Sequence, residues 1–218
     1  MELETEPGVS QQQRPAPLQP STRQGLLFVL SAPSGTGKDT VINALKQRGI
    51  DFYVVPSVTT RAPRPGESEG NPYHFVSQET FDRLVEQGEL LEHAKVHGHW
   101  YGQPLKPIRD NLSAGRDVLL KIDVKGAATI RSKVAGAIFI FLIPGSLDEL
   151  VQRLTDRQTE TEEELQRRLA AARAELAEQS QYDYVICNRQ GHLQEAVDYL
   201  RAIMMAEHCR VHPRKIEI

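Results

Sequence analysis

Nine consecutive residues, Ala32-Pro33-Ser34-Gly35-Thr36-Gly37-Lys38-Asp39-Thr40, set two glycines and a lysine in a spacing that suits phosphate. Glycines let successive backbone N–H groups curl around phosphate oxygens, and a helix starting there adds partial positive charge. Lys38 adds a point charge for the β- and γ-phosphates of a nucleoside triphosphate. The pattern is irregular, with Ala32 where glycine is usual and Asp39 where Ser or Thr normally ligates Mg²⁺. Asp39 can ligate through its carboxylate or hold the metal's waters. Thr40 is suited to the α-phosphate.

A second constellation is Ser57-Val58-Thr59-Thr60-Arg61-Ala62-Pro63-Arg64-Pro65-Gly66-Glu67. Two arginines three apart on a proline-stiffened loop can grip a near-dianionic phosphate bidentately, and Ser57 and Tyr73 can add hydroxyl donors. Taken alone, such a loop also reads as a solvated basic turn. A third group, Arg153, Arg157, Arg167 and Arg168, flanks Asp156 to Thr161 and by itself reads as a charged helix face. His93, His97 and His99 lack a carboxylate set and read as solvent-exposed. Trp100 reads as packing.

These residues need a scaffold. Leu26 to Leu30 is a continuous apolar run, expected as a strand buried on both faces, and helical spacing follows over 39–48 up to Gly49. Ser77 caps a helix ending at Gly88, and 90–103 is a mixed stretch. A polar helix is expected over 104–113. Strands at 118–120, 137–143 and 184–187 alternate with helices at 125–133, 146–156, 161–179 and 193–208, the longest opened by a capping box of Thr161 and Glu164. Alternation of this kind predicts an α/β fold with a parallel sheet covered on both faces. Residues 1–24, rich in Gln, Pro and Glu, are expected to be a disordered tail without a targeting signal, 25–208 one folded unit, and 209–218 a shorter tail.

The 218 residues suffice for one packed core. A net charge of −3 offers no basic field for nucleic acid or an anionic membrane. Two cysteines, Cys187 and Cys209, are too few for a disulfide framework, so a reducing cytoplasm is expected. No apolar run approaches a membrane span.

Together with Asn71 to Val76, Glu92, Tyr101-Gly102, Lys121 to Ala127 and Arg153 to Arg173, the Thr-Thr-Arg-x-Pro-Arg-x-Gly-Glu string closely resembles the guanylate kinase family over residues 25–205. The resemblance implies a phosphate-loop NTPase core of three layers, an inserted GMP-binding subdomain over about 57–106 and a helical lid over about 153–173. It implies transfer of phosphate from ATP to GMP or dGMP in purine nucleotide metabolism, with Mg²⁺ as cofactor. It matches Ser57, Arg61, Arg64, Tyr73 and Tyr101 to the GMP phosphate and Glu92 to guanine. A carboxylate suits that base, because guanine's N1–H and N2–H₂ are adjacent donors that adenine lacks. Arg153, Arg157 and Arg168 match lid arginines that close over ATP, and Arg173 a further active-site arginine. Asn188 matches a residue near adenine or ribose.

The chain departs from the family at Gln103, where Ser or Thr is usual and whose amide is expected to reach guanine O6. It departs also at Lys121, where an acid is usual and which is expected near phosphate. Asp123 then takes a polar role, through Mg²⁺ water or guanine N2, and Arg189 replaces an Asp. Competing readings are a phosphate-loop kinase with a ribose-phosphate acceptor, or a catalytically dead module binding phosphopeptides. Such modules lose the loop lysine and lid arginines, which are present here.

Overall fold

The protein is described by a computed structural model over residues 24–64, 66–96, 98–155 and 162–218. Arg157, Thr161 of the expected capping box, His97 and the N-terminal segment to residue 23 lie outside the described residues.

The apolar run forms β1 (Leu27–Ser31), buried along its whole length. It lies at the centre of a parallel sheet ordered β10-β9-β1-β8-β2, with β2 at Tyr53–Val54, β8 at Val118–Ile122, β9 at Ile138–Pro144 and β10 at Tyr184–Asn188. Side chains alternate across a strand, so Phe28 and Leu30 enter one core and Leu27 and Val29 the other. Helices α1 (Lys38–Gln47) and α7 (Leu193–Glu207) cover the first face through Val41, Leu45, Ala196 and Leu200. Helices α3 (Leu105–Ser113) and α4 (Val124–Lys133) cover the second through Ile108, Leu112, Ala127 and Ile130. Coverage on both faces is what allows continuous apolar strands.

A second sheet, ordered β4-β5-β3-β7-β6, was not foreseen as a sheet. Its strands are β3 (Ser57–Thr59), β4 (Ser68–Glu69), β5 (Pro72–Phe75), β6 (Leu90–Val96) and β7 (His99–Pro104). The polar content of these strands hid them, because only a small core of Val58, Phe81 and Leu90 is apolar, packed beneath α2 (Gln78–Glu86). Trp100 stacks on Phe81 at 5.9 Å between ring centroids, a packing role. His93 is not solvent-exposed: it wedges against Trp100 and Phe81, with a buried Nδ1.

Helices α5 (Leu147–Thr155) and α6 (Glu162–Ala177) meet through Leu150, Leu154 and Ala172. The C-terminal segment is packed rather than loose. Ile216 enters the second core, Glu217 bridges to Ala135, and Arg214 pairs with the buried Glu207 at 2.9 Å.

Candidate active site

The loop after β1 turns on Gly35 and Gly37, with φ of 86° and 94°, values that glycine alone adopts without strain. A Cβ on Gly37 would also lie 2.8 Å from Asn188 Nδ2. No side chain caps α1, whose N-cap is Gly37, so its first turn presents bare backbone donors. The Thr36 carbonyl accepts from Asn188 Nδ2 at 2.8 Å and from Arg153 Nη1 at 3.1 Å, and Arg153 Nη2 donates to the Asn188 carbonyl at 2.9 Å. These two residues therefore clamp the loop from behind. Arg168 Nη2 donates to Ser34 Oγ at 2.9 Å.

Lys38 Nζ donates to the Ala32 carbonyl at 2.9 Å. Burial lowers its pKa to about 8, with Glu175 opposing the shift. Glu175, absent from the sequence expectations, reaches the loop from α6. Its pKa is raised by burial, against the pull of Lys38. Arg168, Ala172 and Glu175 stand four and three residues apart, which puts them on one helix face, and that spacing was the available signal.

Strand register assembles the other half. Ser57 pairs with Tyr73, Thr59 with Tyr101 and Glu92 with Gln103, so chain-distant polar side chains become neighbours on one sheet. Glu92 is 3% exposed. Burial, then the nearby Asp123 charge, raises its pKa to about 8 against the pull of Lys133. Gly126 permits this packing, because a Cβ there would lie 2.8 Å from Glu92 Oε1. Asp123 caps α4 by accepting from Gly126 N at 2.8 Å. Gln103 Nε2 is spent on Ser57 Oγ at 2.7 Å, and its buried Oε1 has no hydrogen-bond partner. The amide nitrogen expected for guanine O6 is thus engaged elsewhere.

One cleft of about 1050 Å³ joins the two halves. It is lined by Ala32 to Thr40, Ser57, Arg64, Tyr73, Glu92, Tyr101, Gln103, Lys121, Asp123, Arg167, Arg168 and Glu175. Arg167, expected to be merely solvated, is part of that wall. Arg61, Arg153, Asn188 and Arg173 are not. Arg61 donates to both Glu67 oxygens at 2.8 and 2.9 Å and to Tyr101 Oη at 3.2 Å, behind Tyr73. Arg173 is exposed on α6 away from the cleft. Lys121 Nζ lies 2.5 Å from Asp39 Oδ1 and 5.1 Å from the Tyr73 ring centroid.

A parallel sheet ending in a glycine-rich loop, with Ser57, Arg64, Tyr73 and Tyr101 facing it across one cleft, fits the class of phosphate-loop nucleotide phosphotransferases. A family model described as guanylate kinase matches residues 24–207. The chain belongs to the guanylate kinase family. It is 44% identical over 193 residues to a guanylate kinase of Caldanaerobacter subterraneus subsp. tengcongensis, covering 88% of this chain and 93% of the relative. It is 51% identical over 162 residues to one of Frankia casuarinae, covering 74% and 88%. The crystal structure of guanylate kinase from Anaplasma phagocytophilum superposes with a TM-score of 0.70 at 36% identity, covering 88% of this chain and 91% of that one.

Proposed function

We infer that this protein is an ATP:GMP phosphotransferase that converts GMP or dGMP to the diphosphate, serving purine nucleotide metabolism in the cytoplasm. The observation carrying this reading is Glu92, a buried carboxylate in the same cleft as the phosphate loop. Guanine's paired donors satisfy a carboxylate, whereas adenine would leave it buried and unpaired. Residues 57–104 act as the monophosphate-binding subdomain, α5 and α6 as the lid, and the parallel sheet as the core.

Ser57, Arg64, Tyr73 and Tyr101 hold the GMP phosphate, with Arg61 supplying charge behind Tyr73. Glu92 reads guanine, supported by Gln103 and Asp123. The loop from Ala32 to Thr40 and Lys38 hold the ATP phosphates. Asn188 and Arg153 brace the loop, and Arg168 and Arg157 are the further lid cations. The migrating phosphoryl group passes in line between two anionic oxygens, so the protein's work is positioning and charge neutralisation. No general base is required, because the acceptor phosphate is already ionised. Lid closure excludes water, which would otherwise take the phosphoryl group.

Mg²⁺ fits this donor set. The ion keeps several waters and takes one or two carboxylates with substrate oxygens, and Asp39 is 70% exposed in the first turn of α1. When bound, Mg²⁺ neutralises β- and γ-phosphate charge.

The loop lysine together with Arg153 and Arg168 speaks against a non-catalytic module. An ADP-release assay with GMP, dGMP, AMP, UMP and a ribose bisphosphate tests the reading. Turnover with GMP and dGMP alone is expected. Turnover with AMP or the ribose bisphosphate but not GMP overturns it, as does inactivity with every acceptor.

A further inference from the structure

Lys121 stands where the two halves of the cleft meet. Its side chain is 10% exposed, and its ammonium is 2.5 Å from Asp39 Oδ1 on the donor side. On the acceptor side it lies 5.1 Å from the Tyr73 ring centroid. Register on the core sheet fixes this location, because Lys121 pairs with Leu30, one residue before the end of β1. The ammonium faces the same cleft as the phosphate loop.

We propose that Lys121 is a ligand of the acceptor phosphate, with Asp39 as its counter-ion when no monophosphate is bound. Three observations carry this. Lys121 and Tyr73 both line the cleft, together with Ser57, Arg64 and Tyr101. Among the described residues the lysine pairs with one carboxylate, itself 70% exposed, so Asp39 can return to water when a dianionic phosphate takes its place. Lys38, its cationic neighbour, is occupied by the phosphate loop's own Ala32 carbonyl, which leaves Lys121 as the lysine facing the acceptor wall. The proposal rests on the guanylate kinase reading and adds a third kind of phosphate donor, an ammonium, to the arginines and hydroxyls assigned above.

Calorimetric titration of the full-length protein with GMP, with guanosine and with Mg·ATP separates the possibilities. Lys121→Gln is expected to weaken GMP binding about ten- to hundredfold, the range for one charge-assisted hydrogen bond. Guanosine, which has no phosphate, and Mg·ATP should bind it within about twofold of the wild type. Lys121→Arg should keep GMP affinity within a few fold, which separates lost charge from lost packing. Unchanged GMP affinity in Lys121→Gln overturns the proposal. So does a parallel loss for guanosine, or a loss confined to Mg·ATP. Wild-type protein that binds Mg·ATP but no GMP overturns the guanylate reading itself, and the proposal with it.

Discussion

Lys121 Nζ and Asp39 Oδ1 lie 2.5 Å apart, joining the end of β8 to the first turn of α1. The pair joins two of the positions at which the sequence departs from the pattern its resemblance to the family leads one to expect. An acid stands on the phosphate-loop helix and a base on the neighbouring strand. On the proposed reading Asp39 serves Lys121 and the metal in turn. Asp39→Ala is expected to raise the Mg²⁺ concentration needed for half-maximal turnover several-fold, read from a metal titration at saturating ATP and GMP. An unchanged metal dependence removes Asp39 from the metal site.

Glu92→Gln should abolish guanine selectivity. The amide presents a donor where guanine offers two, so GMP affinity is expected to fall about 30- to 100-fold, while Mg·ATP affinity is retained. The variant should melt no lower than the wild type at pH 8, because it removes a buried charge facing Asp123. A drop in ATP affinity with GMP affinity intact would refute the assignment.

The raised pKa of Glu92, about 8, has a consequence of definite sign. Below that value the free protein carries the neutral acid, which must lose its proton to accept both guanine donors. GMP affinity is therefore expected to rise with pH between 6.5 and 8, by up to about tenfold per unit, and to level off above 8. Its contribution to stability runs the other way. A carboxyl raised above its unfolded pKa favours the fold at low pH, and that contribution is lost as pH climbs from the ordinary carboxylate range toward 8. Calorimetry in buffers of different ionisation enthalpy should detect proton release on guanosine binding at pH 7. Its absence would mean that Glu92 is already ionised.

Asn188→Ala removes one of two side chains that hold the Thr36 carbonyl, while Arg153 keeps its bonds to that carbonyl and to the backbone carbonyl of residue 188. Mg·ATP affinity is expected to fall about tenfold, a cost of roughly 1.4 kcal/mol, with GMP affinity unchanged. Equal losses for both nucleotides would show a global rather than a loop effect.

Truncation after Glu207 takes away Arg214, the partner of a carboxylate that is 2% exposed, together with the core residue Ile216. An unpaired buried charge costs about 3–5 kcal/mol, so the melting temperature should drop by roughly 10 °C. A change of under about 2 °C would show that the segment adds nothing to the fold.

Much was legible before any coordinates. Continuous apolar strands separated by amphipathic helices dictated the core sheet, because a strand covered on both faces must be apolar throughout. The phosphate loop was legible because its function is written in backbone conformation, which glycine spacing encodes locally. Glu92, Arg64 and Tyr73 were legible through an uncommon local string.

The second sheet was not legible, since its strands are polar and stabilised by cross-strand pairing between residues far apart in the chain. The resting positions of Arg61 and Arg153 were also hidden: a guanidinium's partner depends on which carboxylate or carbonyl folding brings within reach. The same holds for Glu175 and for the Lys121–Asp39 pair, whose members are 82 positions apart in sequence. Residue types and short spacings thus determined the class of chemistry. Only the tertiary structure decided how charge is shared across the cleft, because electrostatic energy depends on distance and burial, neither of which a linear sequence contains.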